Sequence, residues 1–370
     1  MRATRALIHL DNFVKNLEAA AKRAGPNASV CAPVKADAYG HGALPIAGAA
    51  LEAGAACLAV AAINEAAQLR QGGIKAPILL LSQALPEEME ELVSLDLIPL
   101  AGDREALEVL AAAARGRRKR LTVHLKVDTG MGRMGCRPEE APELASFIVS
   151  SGTLVLGGMA THLAVSDSLS PEDIGYTKKQ LARFREAAAA VKAAGIESGI
   201  LHAANSGALC FHEDAFFDMV RPGIFLYGYS PAGGLAGGLS AVPVMELRTA
   251  VVFIKKLRRG EAVSYGRTWT APEDTFIATL PAGYADGIPR LLSGRHRVYI
   301  GGRPYPLVGR VCMDQCMADL GPESGVRRWD EAVVFGPAAE TAADIAAKIG
   351  TIPYEITCNI SKRVPRVYVP

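Results

Sequence analysis

The sequence predicts an α/β protein in two parts, an N-terminal (β/α)8 TIM-like barrel and a C-terminal domain made mostly of β-strands. Three observations indicate this architecture. Strand-like runs alternate with helix-like runs up to residue 228, a glycine-rich stretch follows at 229–240, and strand-like runs dominate the rest. Alternating units of this kind form a parallel sheet covered by helices, and eight of them close a barrel. We therefore predict domains at 1–235 and 236–370.

The eight strand candidates of the barrel are mostly apolar throughout, as expected of strands that are buried on both faces of a parallel sheet. They lie at residues 30–35, 57–61, 78–82, 97–102, 121–128, 154–163, 200–206 and 217–228. Helix-like patterns between them include residues 44–54 and 177–195.

The C-terminal part has a different pattern. Strand candidates lie at 244–257, 298–308, 328–336 and 358–369, and only residues 342–350 look helical. The pair Gly301-Gly302 inside the second of these runs predicts a β-hairpin.

Composition argues against several classes of protein. The net charge is +2, with acids and bases well mixed, so we expect no nucleic-acid or membrane partner. The basic run at 115–120 is interpreted as a solvated loop. Seven irregularly spaced cysteines without a CxxC pair suit a reducing compartment and predict no metal site. Because no signal-peptide pattern and no membrane-length apolar stretch is present, we expect a cytoplasmic protein.

Lys35 ends the first strand candidate, inside the apolar run "APVKADA". Barrels place their chemistry at the carboxyl ends of their strands, and burial lowers the proton affinity of a lysine. A neutral amine can attack a carbonyl and form a Schiff base. A single lysine at a strand end is usually structural. However, other strand candidates also end in polar residues: Lys126, Asp128, Arg133, His162, Asn205, Ser206 and Arg221.

The last two strand ends predict a phosphate site. Ser206 opens a helix after the seventh strand, and the backbone amides of Gly223 and Ile224 follow the eighth, the usual phosphate position in such barrels. A reactive lysine together with a phosphate site suggests pyridoxal 5′-phosphate (PLP) as the cofactor.

Nine segments resemble the alanine racemase family, in the same order and across nearly the whole chain. They are "APVKADAYGHG", "KVDTGMGRMG", "THLAVSD", "AANSGA", "RPGIFLYG", "VSYGRTW", "PAGYADG", "VGRVCMDQ" and "RVPRVY". The resemblance implies PLP-dependent interconversion of L- and D-alanine, which supplies D-alanine for bacterial peptidoglycan. It also implies a homodimer with shared active sites.

The resemblance implies a role for each site residue. Racemisation needs a base on each face of the substrate, and these are assigned to Lys35 and Tyr265. His162 is implied as the partner of Tyr265, and Arg221 as the partner of the cofactor's ring nitrogen. The residues implied around the cofactor are Lys35, Tyr39, Arg133, Asn205, Ser206, Arg221, Gly223, Ile224 and Tyr354. Of these, Arg133 is implied to contact the phenolic oxygen. Those implied around the phosphate are Tyr39, Ser206, Gly223, Ile224 and Tyr354, with Asn205 beside it.

The remaining implied roles concern the substrate. Arg133 and the backbone N–H of Met313 are expected to bind it, and Lys126 is a possible carbamylated lysine. Tyr265 and Met313 are expected to reach the partner's cofactor. The entrance is expected to be lined by Asp167, Tyr284, Arg290, Arg310 and Tyr354.

Three other functions stay open. The first is a racemase of serine or of basic amino acids. The second is a related PLP-dependent amino-acid decarboxylase, which would lack the tyrosine of "VSYG". The third is a non-catalytic PLP carrier with a single barrel, against which the C-terminal domain argues.

Overall fold

The computed structural model of this protein describes residues 2–231 and 238–370. The chain forms two compact units. The barrel unit comprises Val14–Ala38 and Ala43–Ala241, and the β unit comprises Met1–Phe13, Tyr39–Gly42 and Val242–Pro370. The predicted domain boundary between 235 and 236 lies outside the described residues and stays a prediction. Within the described ranges, no helix has the length and apolar character needed to cross a membrane.

Strands and helices alternate regularly only in the first part of the chain. The strands are β1 (Arg5–His9), β2 (Ser29–Pro33), β3 (Cys57–Val60), β4 (Ile78–Leu80), β5 (Ile98–Ala101), β6 (Leu121–Lys126), β7 (Leu154–Ala160), β8 (Ile200–His202), β9 (Met219–Val220), β10 (Met245–Ala250), β11 (Phe253–Leu257), β12 (Ala262–Val263), β13 (Trp269–Thr270), β14 (Thr275–Leu280), β15 (Arg297–Ile300), β16 (Arg303–Val308), β17 (Cys316–Gly321), β18 (Glu331–Phe335) and β19 (Arg366–Val369). The helices are α1 (Leu10–Ala24), α2 (Ala43–Glu52), α3 (Ile63–Gln71), α4 (Met89–Ser94), α5 (Arg104–Gly116), α6 (Ala141–Ser150), α7 (Pro171–Ala193), α8 (Ser206–Phe211), α9 (Ala342–Ile349) and α10 (Pro353–Cys358).

The barrel unit contains one eight-stranded parallel sheet in the order β8-β7-β6-β5-β4-β3-β2-β9. Because β9 pairs with β2, the sheet curls into a barrel. Backbone hydrogen bonds close the gap between β8 and β9, from Asp218 to Leu201 at 3.0 Å and from Arg221 to Ala204 at 2.8 Å. The barrel predicted from the alternating pattern is confirmed.

The last predicted barrel strand is much shorter than the apolar run at 217–228 suggests. After β9, Pro222 lacks the N–H that a strand ladder needs, and Gly223 has φ −78° and ψ −92°. A single 3₁₀ turn, Ile224–Tyr227, replaces the expected strand. This turn brings the backbone amides of 223–225 to the carboxyl end of the barrel.

The β unit contains a nine-stranded sheet in the order β11-β14-β17-β16-β15-β18-β10-β1-β19. The predicted hairpin joins β15 to β16, with Ile300 opposite Arg303. Its two loop residues, Gly301 and Gly302, have φ of 57° and 76°, as a two-residue turn of type I′ requires. The run at 244–257 forms two strands, and α10 is a helix that the pattern did not predict.

The first strand of the chain belongs to the β unit. β1 pairs antiparallel with β10 and parallel with β19, so strands from the two ends of the sequence, β1 and β19, lie side by side. Ala6 and Ile8 in the middle of β1 are fully buried. Both ends of the chain are therefore needed to complete this sheet.

Candidate active site

Lys35 follows β2 and is half-buried. The next four residues, Ala36, Asp37, Ala38 and Tyr39, form a left-handed turn with φ between 52° and 54°. For residues with a Cβ this conformation costs about 1–2 kcal/mol each. Such strain persists only where surrounding contacts impose it, and it is found mostly at functional sites.

Hydrogen bonds from both sides hold this left-handed turn. The carboxylate of Asp37 accepts one from the N–H of Ala43 at 2.7 Å, and that of Glu65 accepts one from the N–H of Ala36 at 2.6 Å. Gly40 follows with φ 84°, and a Cβ at this position would lie 2.1 Å from the carbonyl oxygen of Thr357. These contacts therefore fix the backbone conformation of residues 36–40, which directly follow Lys35.

Arg221 lies inside the barrel and is 7% exposed. Its Nη1 donates to Nδ1 of His202 at 2.7 Å, and its Nη2 donates to the carbonyls of Thr161 and Ala203 at 2.9 and 3.2 Å. A guanidinium has five N–H groups. These bonds use three of them, which leaves one on Nη1 and one on Nε for a ligand. Burial lowers the pKa of Arg221 to about 10, so it stays charged at neutral pH.

His162 lies just beyond β7 and is surrounded by positive charge. Burial is the main reason that its pKa falls to about 3, and the charges of Arg221, Arg133, Lys126 and Lys35 lower it further. The imidazole is therefore neutral at neutral pH and can accept a hydrogen bond from a hydroxyl. Because these four charged side chains all lower the pKa of His162, they lie near its imidazole.

Lys126, at the end of β6, is 4% exposed, and its Nζ donates to the carbonyl of Val127 at 3.0 Å. Burial lowers its pKa to about 8, the charges of Arg221 and Arg133 act in the same direction, and Asp128 opposes them. A substantial fraction of this amine is therefore neutral under physiological conditions, and a neutral amine is a nucleophile.

Asp128 organises the glycine-rich loop that leads to Arg133. Its Oδ1 accepts hydrogen bonds from the N–H groups of Gly130 at 2.9 Å and Met131 at 2.8 Å, and its Oδ2 accepts one from Gly132 at 2.9 Å. Arg133 itself is exposed. The cations around His162 outnumber this one carboxylate, so the cluster keeps an excess of positive charge that suits an anionic ligand.

Ser206 is buried at the start of α8. Its Oγ accepts a hydrogen bond from the N–H of Phe225 at 3.2 Å, which ties it to the turn that carries Gly223 and Ile224. Asn205 caps α8, with its Oδ1 accepting from the N–H of Ala208 at 3.0 Å. The hydroxyl proton of Ser206 is left to donate, so this corner can bind an oxyanion.

Asp167 lies beside the same corner. It is exposed, and a Cβ on Gly207 would lie 2.7 Å from its backbone nitrogen. Ser166, before it, donates to Oδ1 of Asn205 at 2.7 Å. The loop after β7 is thereby fixed against the first turn of α8.

In the β unit, the rings of Tyr39 and Tyr354 pack together, with centroids 5.9 Å apart and planes tilted by 44°. Tyr39 is buried and Tyr354 is half-buried. These two residues are far apart in the sequence, and both are predicted to lie near the cofactor phosphate.

Tyr265 projects from the β unit and is 71% exposed. Ser264 before it has φ 67°, and its hydroxyl donates to the carbonyl of Arg310 at 2.7 Å. A Cβ on Gly266 would lie 3.1 Å from the guanidinium carbon of Arg310. The structure therefore brings Tyr265 next to Arg310, one of the predicted entrance residues.

Met313 and Tyr284 lie on two adjoining turns of the β unit, and both are exposed. The N–H of Tyr284 donates to the carbonyl of Cys312 at 3.0 Å. Arg290, further along, is also exposed. The predicted site residues thus fall into a group in the barrel unit and a group in the β unit.

Two buried histidines were not predicted as site residues. His202 bonds directly to Arg221, and its Nε2 lies 2.8 Å from Nδ1 of His124. His124 lies on β6 and His202 on β8. A single histidine within an otherwise apolar strand is the sequence signal that could have identified each of them. Within the two described ranges, no group of three or more His, Cys, Asp or Glu side chains could hold a metal ion.

Comparisons with known proteins identify the family of this chain. Residues 8–231 match the family described as "Alanine racemase, N-terminal domain", and residues 244–368 match "Alanine racemase, C-terminal domain". The chain is 51% identical to the alanine racemase of Treponema denticola, covering 100% of this chain and 99% of the relative. It is 45% identical to that of Treponema pallidum, with 100% of both chains covered.

Solved structures give the same result. The alanine racemase of Streptomyces lavendulae has a TM-score of 0.93 and 38% identity, covering 100% of this chain and 98% of its own. The alanine racemase of Clostridium difficile also has a TM-score of 0.93, with 36% identity and coverage of 100% and 96%. The resemblance inferred from nine sequence segments is confirmed, and this chain belongs to the alanine racemase family.

Proposed function

We propose that this protein interconverts L-alanine and D-alanine with PLP as its cofactor. The observation that carries the proposal is the positive charge around neutral His162, to which Lys35, Arg133 and Arg221 contribute. Such a surplus of positive charge fits the phosphate and the phenolic oxygen of PLP. When bound, PLP withdraws electrons from the substrate α-carbon and so stabilises the loss of its proton.

Ser206 and the amides of Gly223 and Ile224 are proposed to hold the cofactor phosphate, with Asn205 beside them. The free hydroxyl proton of Ser206 and the hydrogen bond to Phe225 support this assignment. Tyr39 and Tyr354, which pack against each other, are proposed to complete the set of phosphate partners.

Arg221 is proposed to bind the ring nitrogen of the cofactor through an N–H group that its protein partners leave unused. A guanidinium donates hydrogen bonds but does not readily give up its proton. Arg221 would therefore donate a hydrogen bond to the ring nitrogen without protonating it, which would limit how strongly the bound cofactor withdraws electrons. This restraint favours return of the proton over transamination or decarboxylation.

Two bases are proposed, one for each face of the substrate. Lys35 would hold the cofactor covalently, and its amine would move the α-proton on one face. Tyr265 serves the other face. Because a tyrosine normally ionises near pH 10, we propose that His162 accepts its hydrogen bond. The low pKa of His162 keeps its imidazole neutral and able to accept.

We propose that Lys126 is carbamylated. Its neutral amine would attack CO₂, forming an N–C bond and releasing one proton, which leaves a carbamate anion on Nζ. The lowered pKa of Lys126 supports this step. A carbamate would also replace repulsion between Lys126 and Arg133 with attraction, so that Arg133 is held towards the phenolic oxygen and the substrate.

The substrate carboxylate is proposed to bind Arg133 and the backbone N–H of Met313. The entrance residues proposed from the family resemblance are Asp167, Tyr284, Arg290, Arg310 and Tyr354. A site of this kind selects a small side chain by shape, and apolar pockets separate similar side chains by roughly 1–3 kcal/mol per methylene.

We propose a homodimer in which the β unit of one copy completes the site of the other. Large side chains exposed on the β unit support this: Tyr265, Tyr284, Leu291, Met313 and Ile352. A cavity of 530 Å³ opens between Tyr284, Leu291 and the segment 349–359. Large exposed apolar surfaces mark interaction sites, and a second copy of this chain would cover this one.

The proposed role is to supply D-alanine for bacterial peptidoglycan from the cytoplasm. The test is to load the purified protein with PLP and to follow optical rotation from each pure enantiomer of alanine. The same final mixture of L- and D-alanine, reached from either starting enantiomer, would support the proposal. Racemisation of serine, lysine or arginine in preference to alanine would instead support a racemase of those substrates, and release of CO₂ from basic amino acids would support a decarboxylase.

A further inference from the structure

Two turns of the β unit are bonded to each other through their backbones. The N–H of Tyr284 donates to the carbonyl of Cys312, and the N–H of Ala285 donates to the carbonyl of Met313, both at 3.0 Å. A Cβ on Gly283 would lie 2.3 Å from the carbonyl oxygen of Cys312, so glycine is required for this approach. The position of the 312–314 turn therefore depends on that of the 283–286 turn.

Asp286 ends the 283–286 turn and is completely buried. Its Oδ2 accepts from the N–H of Gly283 at 2.9 Å, and Arg363 binds both of its oxygens, through Nε at 2.7 Å and Nη2 at 3.0 Å. Arg2 donates to Oδ1 as well. Burial raises the pKa of Asp286, but the hydrogen bonds from Arg363, Arg2 and Gly283 outweigh it and leave the pKa below its ordinary value.

Arg363 also reaches the second turn. Its Nη1 lies 2.8 Å from the carboxylate of Asp314, the residue after Met313. One guanidinium thus joins Asp286 to Asp314. A planar, two-pronged donor of this kind fixes direction as well as distance.

We propose that Asp286 is a positioning residue for substrate binding, because it sets, through its own turn and through Arg363, where the backbone N–H of Met313 points. This inference rests on the proposed function, in which that N–H binds the substrate carboxylate. A backbone donor that shifts by a fraction of an ångström loses much of its hydrogen bond. Asp286 is completely buried and would not itself touch the substrate.

The test compares two probes of the PLP-loaded enzyme. Propionate carries the carboxylate of alanine without its amine, and ethylamine carries the amine without the carboxylate. In Asp286→Asn we expect the dissociation constant of propionate and the KM for alanine to rise about ten-fold, with a smaller change in kcat. The dissociation constant of ethylamine, read from the visible spectrum, is expected to stay unchanged.

Asp314→Asn is the second variant, since its side chain is 60% exposed and its loss leaves the Asp286–Arg363 pair in place. This variant should also weaken propionate binding. If Asp286→Asn does not fold, the result for Asp314→Asn tests the positioning role instead. Glu340→Gln is the matched control, because this carboxylate of the β unit pairs with His296 and Lys348 instead. It should change neither probe.

The positioning role would be overturned if the folded variants bound propionate as the wild type does, or if they lost affinity for propionate and ethylamine equally. Racemisation by the wild-type protein would still support the proposed function in that case. A wild-type protein that binds both probes but racemises no alanine overturns the proposed function alone. A wild-type protein that binds neither probe overturns both.

Discussion

His202 receives a hydrogen bond at Nδ1 from the guanidinium of Arg221, at 2.7 Å, and its Nε2 lies 2.8 Å from Nδ1 of His124. Because Arg221 can only donate, the proton of His202 must sit on Nε2, which then donates to His124. Burial, followed by the charge of Arg221, lowers the pKa of both imidazoles, that of His124 to about 4. Arg221 is therefore held by a chain of neutral rings.

This histidine chain predicts acid sensitivity. Between pH 6.5 and about 4, unfolded His124 binds a proton that the folded protein excludes, so the free energy of unfolding should fall as the pH falls through this range. His124→Gln keeps a hydrogen-bond acceptor without titrating, and should show a smaller loss. Urea unfolding at pH 7, 6, 5 and 4 measures both slopes, and equal slopes would contradict the burial of a neutral His124.

Lys35→Ala should lower racemisation in both directions by more than about 10⁴-fold, because it removes a base together with the covalent anchor of the cofactor. Initial rates from L- and from D-alanine give the measurement. Lys15→Ala, at an exposed lysine of α1, is the control and should keep full activity. A variant at Lys35 with ordinary turnover would remove this residue from the reaction.

Tyr265→Phe should leave cofactor binding intact and slow racemisation by about 10²–10⁴-fold, the usual contribution of one acid–base group. Exchange of the α-proton in D₂O, followed separately for each enantiomer, should be lost mainly for L-alanine. Tyr299→Phe, on β15 of the same unit, provides a matched control. Equal residual exchange from both enantiomers would mean that Tyr265 does not serve a single face.

Mixing the two inactive variants tests the shared site. In a heterodimer of Lys35→Ala and Tyr265→Phe, one site combines both losses and the other keeps both bases. After subunit exchange, activity per heterodimer should therefore return to about half of the wild-type value. A purified heterodimer without activity would place both bases in one chain.

Carbamylation of Lys126 should depend on pH. Its pKa is lowered to about 8, so the neutral, reactive amine becomes the main form as the pH rises through that value. With ¹³C-labelled bicarbonate, we expect a carbamate carbon signal in the NMR spectrum that strengthens from pH 7 to pH 9 and is missing in Lys126→Ala. A signal that persists in that variant would come from another amine.

Patterns that depend on local sequence were predicted well. The eight barrel strands overlap the predicted apolar runs, although the last strand is much shorter than its run, and the turn at Gly301-Gly302 follows from its need for positive φ at both positions. The polar residues at the strand ends were found because a barrel collects them at one rim. Lys126 and Arg221 are of this kind.

Features that depend on distant partners were not predicted. β1 is a short strand whose partners, β10 and β19, lie more than two hundred residues away, so no local pattern identifies it. His124 and His202 meet only when β6 and β8 take their places in the barrel. The left-handed turn at 36–39 contains no glycine, and it is imposed by contacts such as that of Glu65.

That turn has a consequence for dissecting the protein. After Ala38, three residues beyond Lys35, the chain leaves the barrel unit for four residues, Tyr39–Gly42, which belong to the β unit, and then returns. Gly40 accepts a hydrogen bond from Arg366, close to the other end of the chain. A gene fragment that ends after the barrel would therefore lack the β-unit residues that contact Tyr39–Gly42. We infer that the two units cannot be expressed separately without disturbing the segment that follows Lys35.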